Sequence, residues 1–257
     1  SSASYNRVVA RVTQNGTINT TTAMTDAFSA GSIRSAATVD GTSFWTGGAG
    51  TGGGTRYVTL GGTTSTLVSA APTNTRGTAI YNSQLFTSSQ SGTNIGVSTV
   101  GSGLPSTSGN TTTILSGTAT NVDLTNPQGF VFADIDGNGT PEVLYVADGN
   151  LGIVKFSNNG GTWTKRGSLP NPSGRASAGL GLQMSGTDRV LFICLGTSAS
   201  PATEIYKFVD NSAAESNITS SGTDIITACG SAIITTSSPT TMLFKGVSFA
   251  PVNVPTV

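Results

Sequence analysis

The chain has 257 residues, 34 of them glycine, with only 9% charged side chains, and its 12 basic and 12 acidic residues balance to a formal charge of +0. That length suffices for a substantial core within one all-β domain, and the balanced charge excludes a polyanion partner held by bulk electrostatics, so nucleic acid is not expected. Histidine is absent, which removes Ser-His-Asp and Cys-His catalysis, His-ligated zinc and His-based pH switching together.

Thr, Ser, Asn and Gly fill most polar positions while Lys and Glu are scarce. This is the composition of many short strands and tight turns, and it resembles exported surface proteins more than cytosolic enzymes. No apolar run reaches the roughly 18 residues of a membrane-spanning helix, so membrane insertion is not expected. The two cysteines, Cys194 and Cys229, are too few for a disulfide framework. They form either one bridge within a blade or, the preferred reading, two small buried hydrophobes.

Taken in chain order, the apolar residues alternate over short runs bounded by Gly, Asn, Asp and Pro, which predicts strands throughout. Arg7–Thr13 and Thr17–Ala23, joined by Asn15-Gly16, read as the outer strands of a blade. A first four-stranded blade follows at Ile33–Val39, Ser43–Gly47, Arg56–Leu60 and Ser65–Ala70, its first hairpin turned by Asp40-Gly41. A second takes Arg76–Tyr81, Gln84–Ser88, Ile95–Val100 and Thr112–Leu115. A third takes Gly129–Asp134, Glu142–Ala147, Gly152–Ser157 and Thr162–Ser168. The fourth takes Ala176–Leu182, Arg189–Leu195, Glu204–Val209 and an outer strand near either Asp224–Thr227 or Ala232–Thr236. Met242–Ala250 reads as an innermost strand without a continuation.

One phrase heads the successive blades: Arg34-Ser-Ala-Ala-Thr-Val, Arg76-Gly-Thr-Ala-Ile-Tyr, Gln128-Gly-Phe-Val-Phe-Ala, Arg175-Ala-Ser-Ala-Gly-Leu and Lys245-Gly-Val-Ser-Phe-Ala. A long side chain, a small residue and a β-prone run return every 40 to 70 residues or so, near the period of propeller blades. The sequence therefore predicts one all-β domain over 1–257, a β-propeller of four-stranded antiparallel blades. The expected blade number is about five to six, with the ring closed either by strands from both termini or by further residues before Ser1.

The chain resembles a group of secreted β-propeller proteins of unknown function, found mostly among exported bacterial proteins. Asn6-Arg-Val-Val-Ala-Arg-Val, Ile33-Arg-Ser-Ala-Ala-Thr-Val-Asp-Gly-Thr-Ser-Phe-Trp, Gln84-Leu-Phe-Thr-Ser-Ser, Leu144-Tyr-Val-Ala-Asp and Phe244-Lys-Gly-Val-Ser-Phe-Ala-Pro carry the resemblance across nearly the whole chain. It implies the propeller fold, export, and an N-terminal portion that brings the ring to about six blades. It implies no activity.

Two constellations bear chemistry. Asp134-Ile-Asp136-Gly-Asn138-Gly-Thr140-Pro-Glu142 sets oxygens at alternate positions with glycine at the bend, the spacing by which a loop wraps Ca²⁺. Asp134, Asp136, Asn138 and Glu142 would give side-chain oxygens and Thr140 a carbonyl, for a structural ion. The competing reading is an Asp/Asn/Gly turn without metal. The second constellation is the repeat itself. Equivalent blades would place Arg34, Arg76, Gln128, Arg175 and Lys245 around one channel mouth, where guanidinium groups suit a carboxylate, a sulfate or a sugar acid. The competing reading has these side chains bonding carbonyls of neighbouring blades or pairing with Asp40, Asp123 or Asp188.

Phe44, Trp45, Phe86, Tyr145 and Phe192 mark the second strands and are expected in the core between sheets. No G-x-S-x-G elbow, P-loop or paired-Cys metal site occurs. The expected function is that of a non-enzymatic, secreted or cell-surface propeller, a structural or protein-interaction module that meets other surface proteins or copies of itself. A lectin-like glycan-binding module is the alternative, and a polysaccharide-active enzyme comes third.

Overall fold

The computed structural model describes residues 4–118, 123–197, 202–218 and 224–235. Among the described residues, the regular structure consists of strands apart from one five-residue helix. β1 (Arg7–Val12) and β2 (Ile18–Met24) form a two-stranded antiparallel sheet. Four four-stranded sheets follow, each laid down strictly in chain order. The first contains β3 (Ile33–Ala37), β4 (Ser43–Gly48), β5 (Gly54–Thr59) and β6 (Thr66–Ser69). The second contains β7 (Thr75–Tyr81), β8 (Gln84–Ser89), β9 (Gly96–Val100) and β10 (Thr112–Ile114). The third contains β11 (Pro127–Ala133), β12 (Val143–Asp148), β13 (Gly152–Asn159) and β14 (Thr162–Leu169). The fourth contains β15 (Arg175–Ser185), β16 (Asp188–Thr197), β17 (Ala202–Asp210) and β18 (Ile234–Thr235). These are the antiparallel meanders of propeller blades.

Burial follows strand position, and the residues explain it. The second strands β4, β8 and β12 are buried along almost their entire length. Their near-continuous apolar and small side chains suit a strand covered on both faces. The first strand β3 and the fourth strand β10 alternate between half-buried and exposed, while β18 is exposed. Fully burying one Leu, Ile or Phe contributes about 1.5–3 kcal/mol, so the apolar residues of these second strands are a large part of each sheet's stabilisation.

The chain forms two compact units, one within residues 1–87 and 100–112, the other within 88–99 and 113–247. In the first, Val9 and Met24 of the two-stranded sheet pack with Phe28, Phe44 and Val58, and a second cluster joins Trp45, Val68, Leu85 and Val100. In the second, Val143, Tyr145, Leu191, Ile193, Leu195 and Tyr206 form the centre of the core.

A glycine with positive φ opens the third strand of three sheets: Gly54 at 106°, Gly96 at 145° and Gly152 at 92°. At Gly54 and Gly152 a Cβ would run into the carbonyl oxygens of Ser69 and Leu169, each at the far end of the neighbouring fourth strand. Only glycine allows both the backbone conformation and this approach.

Several sequence expectations change. The outer strand of the fourth sheet is Ile234–Thr235, paired with Glu204 and Ile205, which selects the later of the two sequence alternatives. Residues Ile225–Cys229 form helix α1 instead, because the Asp224 side chain caps the Thr227 N–H and Gly230 ends the turn. β15 to β17 run longer than expected, and β3 ends at Ala37, leaving Val39 62% exposed. Among the described residues there are four complete blades and one two-stranded sheet, fewer than the five to six expected. The expected strand Met242–Ala250 lies outside the described residues.

Candidate functional site

The loop from Asp134 to Glu142 joins β11 to β12. Its ends are drawn together by the Glu142 N–H, which donates to the Ala133 carbonyl at 3.0 Å. Inside, the Asp134 carboxylate accepts the N–H groups of Gly137 and Gly139, both at 2.7 Å. Asp136 accepts from the Asn138 backbone at 3.0 Å and from its side-chain amide at 2.8 Å. Glu142 accepts the Ile135 N–H at 2.6 Å, and the Asn138 side-chain oxygen Oδ1 accepts the Thr140 N–H at 2.7 Å.

These bonds fold three carboxylates inward, so that one oxygen from each of Asp134, Asp136 and Glu142 lies within 4.8 Å of the others. Partial burial pushes the Asp134 carboxyl upward, but the N–H groups of Gly139, Gly137 and Asn138 outweigh it and hold the group below the usual carboxylate range. Among the described residues, no ion pair reaches any of the three acids. Closely spaced oxygens without a neutralising cation are the donor set that Ca²⁺ takes. Asn138 sits in the same loop with its side chain spent on the Asp136 carboxylate and the Thr140 N–H.

The repeat positions divide by their surroundings. Arg34 Nη1 donates to the Asn74 side chain and, at 3.1 Å, to the Thr75 carbonyl on the next blade's first strand. Gln128 donates to the Asn126 side chain at 2.6 Å. Arg175 donates to the Gly196 carbonyl at 3.0 Å and forms an ion pair with Glu204, so its charge is answered within its own sheet. Arg76 is half-buried and its Nε is enclosed with no partner among the described residues. Burial, and secondly the charge of Arg34, pull its guanidinium downward. Lys245 lies outside the described residues.

The pairing acid for Arg175 is Glu204 and none of the three aspartates expected. Asp123 meets Lys165 at 3.6 Å, and Asp40 accepts from Thr42 and Ser43 in its own turn. Register explains why Arg34 and Gln128 stand out. Ile33 pairs with Gly48 and Ser35 with Gly47, so Arg34 is the extra residue of a β-bulge, and the pairing skips Gln128 and Gly129 in the same way. Bulges re-aim side chains and recur beside binding sites.

Sequence reasoning missed a buried charge cluster in the second unit. Lys155 Nζ lies 2.9 Å from Asp210, and Arg189 lies 3.3 Å from the same carboxylate, with all three side chains at most 2% exposed. Lys155 also donates to Ser212 and to the Ala213 carbonyl. The signal was a cation inside an apolar strand, Gly152-Ile-Val-Lys-Phe, whose partner lies on a distant strand. Trp163 packs on Phe132 at 5.8 Å and is buried, while Tyr5 is 76% exposed. Both cysteines are free.

No protein-family model matches the chain, and no curated protein sequence is significantly similar to it. Solved structures similar in fold include the following two. One, from a nidogen/laminin complex, shares 14% identity over 79% of this chain and 82% of its own, with a TM-score of 0.49. The other, the Niastella koreensis GH74 enzyme, shares 14% identity over 80% of this chain, with a TM-score of 0.51. The chain spans 36% of that enzyme's length. The likeness to the second places the chain among β-propellers. Among the described residues, no helix is long and apolar enough to cross a membrane.

Proposed function

We propose that the chain is a non-enzymatic, secreted or cell-surface propeller, a structural or protein-interaction module whose third blade is braced by a calcium ion. One observation carries the first part: six of the 12 carboxylates are committed to framework bonds. Asp26 holds Arg56 and Ser65, Asp148 holds the backbone of Thr125, Asn126, Asn150 and Leu151, and Asp210 holds Lys155 and Arg189. Glu204 holds Arg175, Glu215 holds Arg166 and Asp224 caps a helix. Acid–base work on a polysaccharide needs a pair of carboxylates facing substrate, one of them free to exchange a proton. Acids committed to framework bonds do not suit that task.

The low charge and the Thr/Ser-rich surface support packing against other surface proteins or copies of itself. The calcium reading rests on the three converging carboxylates, which would serve as a fixed brace between β11 and β12. An assay of the purified chain with acidic and neutral polysaccharides, read as new reducing ends and as retained ligand, separates binding from turnover. No new reducing ends are expected, and retained ligand would favour the glycan-binding alternative. Product that disappears on replacing a carboxylate would overturn the reading.

A further inference from the structure

Arg34 and Arg76 are each the second residue of a first strand, β3 and β7, and both lie in the first compact unit. The two strands are fastened side by side. Arg34 reaches the carbonyl of Thr75, the residue joined directly to Arg76, and Ser35 donates to Thr78 at 2.9 Å. Thr75 Oγ1 in turn accepts the Gly48 N–H at 2.7 Å and donates to the Gly48 carbonyl at 3.2 Å. The Arg34 guanidinium is therefore held at the head of β7, next to the residue that carries the second arginine.

The charge balance at this place is incomplete. Every other described arginine donates to a carbonyl or a carboxylate: Arg7 to Phe28 and Gly31, Arg11 to Gly41, Arg56 to Asp26, Arg166 to Glu215, Arg175 to Glu204 and Arg189 to Asp210. Arg76 meets no acceptor among the described residues although it is half-buried, and its nearest charged influence is another cation. Two like charges that feel one another, one with an enclosed and unpartnered Nε, favour an arriving anion.

We infer that Arg34 and Arg76, with the Arg34 bulge aiming the first, form a built site for one oxyanion, a carboxylate or sulfate. The inference rests on the reading of the chain as a binding module and narrows the repeat to these two positions. A planar guanidinium fork takes two oxygens of such a group at once, and the second arginine supplies the remaining charge. Arg175 does not share the site's chemistry, because Glu204 already answers it. The same oxyanion is available as a free ion or on an acidic glycan, and the shared group is what the site reads.

The test measures melting of wild type, Arg76→Met, Arg34→Met and Arg175→Met at matched ionic strength. The ligands are chloride, sulfate, an oligogalacturonate and a neutral oligosaccharide of equal length. Sulfate or oligogalacturonate should raise the wild-type transition, and each of the first two variants should lose about ten- to a hundredfold in affinity. Arg175→Met should keep the response. In chloride alone, Arg76→Met should melt at or above wild type, since it removes a half-buried cation whose enclosed Nε has no partner among the described residues. A stronger effect of the oligogalacturonate assigns the group to a glycan, and an equal effect of sulfate assigns a free ion. Wild type indifferent to both anions overturns the inference, as does an undiminished response in Arg76→Met or lower melting of that variant in chloride. None of these outcomes bears on turnover, so this inference and the binding-module reading fail separately.

Discussion

The Tyr145 hydroxyl donates to the Asp210 carboxylate across 2.5 Å, joining the second strand of the third sheet to the end of the third strand of the fourth. Burial, and then the Asp210 charge, push the phenol far above its ordinary range, while Arg189 donates to the same hydroxyl at 3.2 Å. One carboxylate therefore gathers a phenol, a lysine and an arginine, all buried. Removing the shared acid strands two cations. Asp210→Asn should cost about 3–5 kcal/mol in urea unfolding. Tyr145→Phe should cost about 2 kcal/mol, the value of a hydrogen bond to a charged group. Equal, small losses in both would show that the cluster adds no stability.

Calcium should stabilise the chain through the loop of Asp134, Asp136 and Glu142. At a concentration of 100 times Kd, a ligand that binds only the folded state adds about 2.7 kcal/mol. For a domain of this size that is a rise of about 5–10 °C in melting temperature. Chelator should reverse it and Asp136→Ala should abolish it. Identical melting with calcium and with chelator would leave the loop as a self-bonded turn.

Asp40 should titrate at about 2, far below its ordinary value. The Thr42 N–H at 2.8 Å is the largest cause, followed by the Thr42 hydroxyl at 2.7 Å and the Ser43 N–H at 2.8 Å. Asp26 and Asp210 are lowered as well, against the upward push of burial. A carboxyl depressed by folding stabilises above its unfolded value, near 3.9, and that stability is lost as pH falls through the folded value. Stability should hold from neutrality to about pH 4 and then decline. Carboxyl NMR titration checks the Asp40 value, and Thr42→Val should raise it.

The thiols should be inert in the native state. Burial pushes Cys194 and Cys229 each up to about 11, and both are free. At neutral pH the thiolate, the reactive form, is then scarce. Alkylation followed by mass spectrometry should label neither cysteine natively and both in denaturant, and reducing agent should leave the melting temperature unchanged.

Much of this architecture was legible because strands are local. Phe44, Trp45 and Leu85 announce their buried strands by composition, and the Asn15-Gly16 and Asp40-Gly41 pairs mark turns. Helix α1 was not legible. Ile225-Ile-Thr-Ala-Cys is β-prone, and only the Asp224 cap and Gly230 reverse that tendency over so short a stretch. The calcium-type loop lies within nine contiguous residues, so its spacing could be read directly. The partnership of Arg175 with Glu204, and that of Lys155 with Asp210, depend on which strands lie side by side. The repeat could place the arginines at equivalent positions but could not show that Glu204 answers Arg175 while no described group answers Arg76.

Substituting one of the glycines that open the third strands tests how tightly a blade is built. Gly152→Ala would force a positive φ on a residue with a Cβ and push it into the Leu169 carbonyl, at a cost of about 1–3 kcal/mol for the backbone alone. Gly160→Ala also changes a positive-φ glycine but has open space around it, so it should cost less. Comparing their unfolding midpoints separates conformation from collision.

Because Gly54, Gly96 and Gly152 fall at the same place in three successive sheets, they give the chain an internal phase marker. A cut made immediately before each of them would open the chain between the second and third strands every time, whatever the lengths of the loops elsewhere. Blades of this chain could then be permuted or grafted by counting from a glycine, in stretches where side-chain similarity has faded.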